Sequence, residues 1–134
     1  MKLPKKILVI DDSALMRRVI SDIINENNDY EVAAIAKDGV EGFDLIISNP
    51  NLYSAIILDI NMPKMNGVEV LIRIKSDNEL KNIPVIMLTT TDNPREIETC
   101  YTLGCNMYIT KPIDFNKFSE TLKRLGLFIN IVTI

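Results

Sequence analysis

The chain has 134 residues, a length that suits one domain of ordinary size. Hydrophobic residues make up 47% and charged residues 25%, which is the balance of a compact globular protein and excludes a disordered or fibrous one. The net charge of −3, without a dense cluster of Lys and Arg, argues against direct binding of nucleic acid. Because the sequence has no histidine, Ser-His-Asp and Cys-His nucleophile systems and histidine-ligated metal sites are excluded.

The amino-terminal segment is neither a signal peptide nor a membrane span. Its apolar run begins after Lys6 and stops at Asp11, far short of the length that a bilayer requires. We therefore expect a cytoplasmic protein without membrane contact. The two cysteines, Cys100 and Cys105, lack the paired spacing of zinc ligands and are interpreted as buried thiols.

Short apolar runs alternate along the chain with segments of helical periodicity. The first run, residues 6–10, has no polar alternation, as expected of a strand that is buried on both faces. Ser13 is placed to cap a predicted helix that ends near residues 27–29 and leaves Arg17, Arg18 and Asp22 outside. The apolar residues that recur at helical spacing on its inner face are Leu15, Met16, Val19, Ile20, Ile23 and Ile24.

The same strand–helix unit recurs to the end of the chain. Further strands are predicted at 31–36, 55–58, 85–88 and 107–109, and further helices at 39–48, 68–75, 94–103 and 115–125. Five such pairs predict an α/β fold, a doubly wound five-stranded parallel sheet with helices on both faces. Gly104 and Gly126 follow the fourth and fifth helices, where a left-handed glycine commonly closes a helix. We therefore predict one domain over residues 1–126 and an apolar carboxyl-terminal extension over residues 127–134.

Polar side chains follow the strands of this predicted sheet. Asp11 and Asp12 follow the first strand, Asp59 the third, Thr89 the fourth and Lys111 the fifth. Ligands of open parallel sheets bind beyond the carboxyl ends of the strands, so these side chains are expected to share a site. Each has a simpler interpretation by itself, because such carboxylates and threonines often cap helices and a lone lysine is usually solvated. Their joint occurrence at one sheet edge favours a functional site.

The predicted site concentrates negative charge. Two carboxylates about 4 Å apart repel by roughly 4 kcal/mol at an effective dielectric constant of about 20, so a cluster of them requires protonation or a cation. Oxygen ligands without histidine favour a hard ion, and Mg²⁺ fits best. Asp59 ends the central apolar run and is the candidate nucleophile toward phosphorus. Thr89 is the candidate donor to a phosphoryl oxygen, with Thr90 and Thr91 as alternatives.

Four sequence blocks occur in a familiar order over residues 6–125. They are Asp11-Asp12-Ser13 with Met16-Arg17, the stretch Leu-Asp-Ile-Asn-Met-Pro at 58–63 with Gly67, the strand and threonine at 85–89, and Tyr-Ile-Thr-Lys-Pro at 108–112. Together these blocks are similar to those of the response-regulator receiver family, the CheY-like domains of two-component signalling. The resemblance implies a flavodoxin-like (βα)5 fold with the strand order 2-1-3-4-5.

The resemblance also implies a metal site. Asp12 is implied to bind Mg²⁺ directly, Asp11 through water, Asn61 through its backbone carbonyl, and the acceptor Asp59 through its carboxylate. Magnesium is the one implied cofactor.

Further roles implied by the resemblance concern the phosphoryl group. Asp59 is the implied phospho-acceptor and Lys111 the residue that bridges to the phosphoryl group. Thr89 is the implied switch hydroxyl, and Tyr108 is the aromatic residue that moves inward with it. The Lys111–Pro112 bond is implied to be cis.

The sequence departs from the family at one position. The residue after the switch threonine is usually a small Ala or Gly, whereas here it is Thr90. This change is expected to alter the access of a phosphoryl donor or a phosphatase to Asp59. Asn61 and Thr91, at positions that tune the lifetime of the phosphoryl group in the family, are both uncharged.

The implied function is that of a phosphorelay response regulator. The chain is expected to accept a phosphoryl group from a sensor histidine kinase or a phosphotransfer protein. It is then expected to signal to a downstream protein by a change in the face formed by the fourth helix, the fifth strand and the fifth helix. It is not expected to be an enzyme beyond catalysing its own phosphorylation and dephosphorylation.

Three alternatives remain. The segment around residues 13–24 also resembles the receiver of chemotaxis methylesterases, so the chain is either a single-domain regulator or a fragment of a larger protein. A Mg²⁺-dependent phosphohydrolase of the haloacid-dehalogenase kind is disfavoured, because its general acid two residues after the nucleophile is replaced by Asn61. A pseudo-receiver that works without phosphate is disfavoured by the intact set of site residues.

The carboxyl-terminal tail, residues 127–134, is apolar and uncharged. Such a segment is an aggregation hazard when exposed, so we expect it to pack against its own fifth helix or against a second copy. The run 123–128, with Phe115 and Phe118, resembles the end of phytochrome-associated response regulators, in which an apolar extension helps subunits pair. This resemblance implies a two-fold homodimer through the fourth helix, fifth strand, fifth helix and tail.

Overall fold

The computed structural model describes residues 3–90 and 93–133, with side chains described through residue 125. Strands and helices alternate strictly. The strands are β1 (Lys5–Ile10), β2 (Tyr30–Ala36), β3 (Ala55–Asp59), β4 (Val85–Thr89) and β5 (Met107–Thr110), and the helices are α1 (Ala14–Glu26), α2 (Gly39–Ser48), α3 (Gly67–Ser76), α4 (Pro94–Thr102) and α5 (Phe115–Thr133). Apart from the end of α5, the predicted bounds agree closely with these.

The strands form one parallel sheet in the order β2-β1-β3-β4-β5. β1 pairs with β3 so that Ile10 lies opposite Leu58, and β3 pairs with β4 so that Asp59 lies opposite Leu88. The predicted doubly wound fold and its strand order are confirmed. Because β1 and β3 are neighbours, the residues that end them meet at the same edge of the sheet.

Apolar layers cover both faces of the sheet. Ile46 of α2, Leu71 of α3 and Cys100 of α4 are buried on one face, and Ile20 of α1 and Phe118 of α5 are buried on the other. Burying each large apolar side chain contributes roughly 1.5–3 kcal/mol. β3 and β4 are buried along their whole length, as their continuous apolar sequences predict.

Short polar side chains cap the amino-terminal ends of α1, α2, α3 and α4 next to the sheet edge. The Ser13 hydroxyl accepts a hydrogen bond from Met16 N at 3.2 Å, which confirms its predicted capping role. Asp38 and Asn66 cap α2 and α3 in the same way. Asn93 caps α4, and Pro94 occupies its first turn, where a missing N–H costs nothing.

Two glycines are required by the backbone around the site. A Cβ on Gly67 would overlap the carbonyl oxygen of Asp59, so only glycine lets α3 begin directly behind that residue. The Gly67 amide donates to Ile60 O at 2.9 Å, which fixes the approach. Gly104 closes α4 with φ of 106°, as predicted from its position.

The predicted end of the fifth helix at Gly126 is wrong. α5 continues without interruption from Phe115 to Thr133. One glycine inside a helix costs only about 1 kcal/mol relative to alanine, which is too little to end a helix by itself. The assignment of residues 127–134 to a separate apolar extension stays a prediction, and their side chains lie outside the described part of the chain.

The predicted inner face of the first helix needs one correction. Ile20 and Ile24 are fully buried, but Leu15 is 70% exposed. Helical spacing predicts the direction in which a side chain points but not its distance from the core. Leu15 is exposed because it lies in the first turn of α1, next to the edge of the sheet.

Both cysteines are buried thiols, as predicted, with exposures of 1% for Cys100 and 6% for Cys105. Burial raises the pKa of the Cys105 thiol to about 12, with a smaller contribution from Cys100. Such a thiol is protonated and unreactive at neutral pH.

Over residues 3–90 and 93–133, none of the helices combines the length and the apolar character that crossing a bilayer requires.

Candidate functional site

Carboxylates from two neighbouring strands meet at the carboxyl edge of the sheet. Asp11 follows β1, Asp59 ends β3, and each of Asp11, Asp12 and Asp59 offers an oxygen within 4.8 Å of the others. Asp11 is fully buried and Asp59 is 2% exposed, whereas Asp12 faces solvent. The acidic cluster predicted from the strand ends is therefore assembled by the fold, with one member open to the outside.

Lys111 supplies the positive charge next to this cluster. Its ammonium lies 2.8 Å from Asp11 Oδ2 and 3.4 Å from Asp59 Oδ1, and its side chain is 13% exposed. The Lys111 amide donates to Thr89 O at 2.6 Å, and the bond between Lys111 and Pro112 is cis, as predicted. One backbone hydrogen bond thus ties the lysine to the end of β4.

The two oxygens of Asp11 have different surroundings. Oδ1 accepts a hydrogen bond from Ser13 N at 2.9 Å. Oδ2 is buried and, among the described residues, accepts no well-formed hydrogen bond. Its partner is the Lys111 ammonium, which is near enough for an ion pair but outside hydrogen-bond geometry. Oδ2 therefore retains acceptor capacity that a cation or a bound water would use.

The electrostatics of the site favour a cation. Burial and, next, the neighbouring Asp11 carboxylate raise the pKa of Asp59 to about 6, although Lys111 acts in the opposite direction. Burial alone would lower the pKa of Lys111, but its ion pairs with Asp11 and Asp59 outweigh the burial and raise that pKa. One ammonium therefore does not neutralise the cluster, and its oxygen-only donor set fits a hard divalent ion such as Mg²⁺.

Comparison with known proteins identifies the family of the chain. A family model described as the response regulator receiver domain matches residues 7–123. The chain belongs to the response-regulator receiver family. Chemotaxis protein CheY1 of Helicobacter pylori is 37% identical over 118 residues, which cover 88% of this chain and 94% of that protein. The CheX-CheY-BeF3-Mg+2 complex from Borrelia burgdorferi superposes with a TM-score of 0.86 at 26% identity, covering 92% of this chain and 90% of that one.

A longer relative matches over its receiver part. The protein-glutamate methylesterase/protein-glutamine glutaminase of Trichodesmium erythraeum is 38% identical over 125 residues, which cover 90% of this chain but 34% of that protein. This match supports the receiver assignment and carries no esterase activity with it. The chain is a CheY-like receiver domain of phosphorelay signalling, and receivers are signalling proteins rather than enzymes.

The receiver's candidate switch residue, Thr89, ends β4 and is 1% exposed. Its hydroxyl lies 2.8 Å from Glu96 Oε1, in the first turn of α4. Thr90, at the position where the sequence resemblance predicts a small residue, is exposed and accepts a long hydrogen bond of 3.4 Å from Asn61 Nδ2. The backbone N–H of Asn61 also donates a hydrogen bond to Asp59 Oδ1 at 3.3 Å. Thr91 lies outside the described residues.

Tyr108 lies on β5 and is partly buried. Its ring contacts that of Tyr101 on α4 edge to face, with centroids 6.2 Å apart and planes at 89°. Tyr101 is 47% exposed, so this pair forms part of the outer surface of α4 and β5. The structure does not bring Tyr108 into the acidic cluster itself.

Two residues near the site escaped prediction. Arg17 was expected to point outward, but its Nη1 donates to the backbone oxygen of Asp11 at 2.7 Å and so supports the turn that presents Asp11. Glu96 was not singled out at all. Glu96 lies in the capped first turn of α4, seven residues after Thr89. This spacing predicts that its carboxylate lies near the end of β4 only when the path of the intervening loop is known.

Proposed function

We propose that this receiver accepts a phosphoryl group on Asp59. The observation that carries the proposal is the position of that carboxylate, which is 2% exposed, within 4.8 Å of the oxygens of Asp11 and Asp12, and 3.4 Å from the Lys111 ammonium. A carboxylate at such a place is held rigidly at the end of a buried strand, with positive charge nearby for the group that it accepts.

The metal of the proposed site is Mg²⁺. The carboxylates of Asp11, Asp12 and Asp59 and the backbone carbonyl of Asn61 would hold it, since they are hard oxygen donors and Asp11 Oδ2 has spare acceptor capacity. The ion supplies positive charge to the phosphoryl oxygens when it is bound. The exposed position of Asp12 leaves one side of the cluster open to the donor.

The transfer itself is a displacement at phosphorus. A carboxylate oxygen of Asp59 attacks the phosphorus of a phosphohistidine, a P–O bond forms, and the P–N bond breaks with its electron pair going to the imidazole, which takes up a proton. The product is an acyl phosphate on Asp59. The signal ends by hydrolysis. Water attacks the same phosphorus, and cleavage of the P–O bond to Asp59 returns the carboxylate and inorganic phosphate.

The remaining site residues respond to the new group. Lys111, already paired with Asp11 and Asp59, is placed to form an ion pair with a phosphoryl oxygen. The Thr89 hydroxyl is placed at the end of the strand next to β3 and donates to another phosphoryl oxygen. Tyr108 follows Thr89 inward and changes the surface that it shares with Tyr101.

The partners follow from this chemistry. A sensor histidine kinase or a phosphotransfer protein is the donor, and we place the exchange in the cytoplasm, where such donors act. The face of α4, β5 and α5 is the output surface, and a groove of about 380 Å³ lies on it, lined by Tyr108, Pro112, Lys117 and Arg124 among others. A downstream protein or a second copy of the chain would bind there.

The proposal is tested by the intact mass of the protein after incubation with acetyl phosphate and Mg²⁺. One phosphoryl group per chain, lost on treatment with hydroxylamine, is expected for the wild type and is absent from Asp59→Asn. Sustained turnover of p-nitrophenyl phosphate in excess over protein would instead support the phosphohydrolase. An unmodified wild type would support the pseudo-receiver.

A further inference from the structure

The hydroxyl of Thr89 is engaged by a carboxylate from the neighbouring helix. Thr89 Oγ1 lies 2.8 Å from Glu96 Oε1. An ionised carboxylate has no proton to give, so the hydroxyl is the donor in this bond. Thr89 is 1% exposed and Glu96 is partly buried, which limits the access of water to the bond.

This bond connects the proposed phosphoryl site to α4. Asp59 lies opposite Leu88 in the sheet, so Thr89 is the next residue beyond that pair on the adjacent strand. Glu96 lies in the first turn of α4, where its amide donates to Asn93 O at 3.1 Å. The side-chain bond therefore fastens the start of α4 to the end of β4, on either side of residues 91–92, which are outside the described part of the chain.

Among the described residues, α4 buries fewer side chains than α3 does. Cys100 is the buried residue of this helix, whereas α3 buries Gly67, Val70, Leu71 and Ile74. Apolar burial therefore holds α4 less firmly than α3, and a polar bond at its first turn has a correspondingly larger share in fixing its position.

We propose that Glu96 is a positioning residue that holds the Thr89 hydroxyl in the unphosphorylated receiver and competes with the phosphoryl group for it. This inference rests on the proposed function, in which Asp59 carries that group. The hydroxyl has one proton, which it donates either to Glu96 or to a phosphoryl oxygen. Transfer of the bond to the phosphoryl group releases the first turn of α4, so the two bonds define two states of that helix.

Because Glu96 and the phosphoryl group compete for the Thr89 hydroxyl, the direction in which Glu96 changes the affinity of the site can be predicted. Binding at Asp59 must break the Thr89–Glu96 bond, so that bond lowers the apparent affinity of the site for a phosphoryl-like ligand. Removing the carboxylate should therefore strengthen binding. A hydrogen bond to a charged group is worth enough to predict about a tenfold gain in affinity.

The test uses beryllium fluoride with Mg²⁺, because BeF₃⁻ on a carboxylate has the shape and charge of a phosphoryl group. Its apparent Kd is measured by ¹⁹F NMR on the full-length wild type, Glu96→Ala and Glu96→Gln. Glu98→Ala is the matched control, because Glu98 is an exposed residue of the same helix. We expect a Kd about tenfold lower for Glu96→Ala, a smaller decrease for the uncharged acceptor in Glu96→Gln, and no change for Glu98→Ala.

A second comparison isolates the Thr89–Glu96 pair. In a Thr89→Val background the hydroxyl is gone, so adding Glu96→Ala should leave the Kd unchanged. A role for Glu96 in merely supporting α4 predicts that Glu96→Ala does not strengthen binding when Thr89 is present, and weakens binding to the same extent, if at all, in both backgrounds. That result would overturn the proposal. If Glu96→Ala fails to fold by circular dichroism, the isosteric Glu96→Gln decides, and a Kd no lower than that of the wild type overturns the inference.

The design separates two kinds of failure. A wild type that binds no beryllium fluoride in the presence of Mg²⁺ contradicts the proposed function, and the role of Glu96 falls with it. A wild type that binds normally, beside a Glu96→Ala variant of unchanged affinity, contradicts the role of Glu96 alone.

Discussion

Lys111 Nζ lies 2.8 Å from Asp11 Oδ2 and 3.4 Å from Asp59 Oδ1, so one ammonium serves the carboxylates at the ends of two neighbouring strands. Both carboxylates are buried. In the metal-free protein this lysine therefore places a positive charge in contact with both carboxylates, and a bound cation would share that task.

Lys111→Met should destabilise the metal-free protein by about 2–4 kcal/mol, because it leaves buried carboxylates without their partner. Urea unfolding in the presence of EDTA measures the change. Lys64→Met is the control, since the Lys64 side chain is 70% exposed and lies 3.8 Å from Asp38, whose buried carboxylate keeps its hydrogen bond from Glu41 N. Loss of this long contact from an exposed lysine should cost at most about 1 kcal/mol. Equal stability of Lys111→Met and wild type would contradict the ion-pair geometry.

Asp59→Asn should stabilise the metal-free protein at neutral pH. The folded-state pKa of Asp59, about 6, lies above the unfolded value, so the native state binds more protons between about pH 4 and 6 and loses stability as the pH rises through that window. Asp59→Asn has no carboxylate at this position and does not lose stability in this way. Its free energy of unfolding should equal that of the wild type below about pH 4 and exceed it by on the order of 2 kcal/mol above pH 6.

Melting temperatures of both proteins across pH 4–8 in EDTA provide the measurement. Asp44→Asn, which removes an exposed carboxylate from α2, should run parallel to the wild type throughout. An Asp59→Asn variant that melts below the wild type at pH 7.5 would argue against repulsion within the carboxylate cluster.

Magnesium should stabilise the folded receiver by mass action, by about 2.7 kcal/mol at a concentration one hundred times the Kd. Asp12→Ala should remove most of this effect, because Asp12 is the exposed carboxylate of the cluster and the one expected to bind the ion directly. Thermal unfolding with increasing MgCl₂ tests this, with Asp44→Ala as the control. Parallel responses of the wild type and Asp12→Ala would place the ion elsewhere.

Most of the site was predictable because it lies at strand ends. The apolar runs of β1, β3, β4 and β5 locate the strands, and a parallel sheet then brings Asp11, Asp59, Thr89 and Lys111 to one edge. No side-chain periodicity marks a bond such as that of Thr89 to Glu96, which depends on the path of a loop.

The errors have a related origin. Arg17 and Leu15 were placed by helical spacing, which ignores how far a long side chain folds back or how near a first turn lies to the sheet edge. Gly126 was interpreted as a stop signal, but a glycine disfavours a helix by only about 1 kcal/mol, and α5 continues to Thr133.

The receiver should form a two-fold dimer through α4, β5, α5 and the apolar end of the chain. Tyr101 and Phe115 are large apolar side chains on α4 and α5 that are 47% and 52% exposed, and they would lose that exposure in such a pair. Light scattering on the full chain and on a form ending at Leu125, each with and without beryllium fluoride, measures the oligomeric state. A full chain that is monomeric in both conditions would exclude the dimer.

The identity of the phosphorylated residue is the most direct test of the whole account. After incubation with acetyl phosphate and Mg²⁺, reduction with borohydride converts a phosphorylated aspartate to homoserine, and tandem mass spectrometry of the peptides locates it. We predict homoserine at position 59 and at no other aspartate, and none after incubation without the phosphoryl donor. Homoserine at Asp11 or Asp12, or a protein that is phosphorylated on a hydroxyl and yields no homoserine, would contradict the assignment of Asp59.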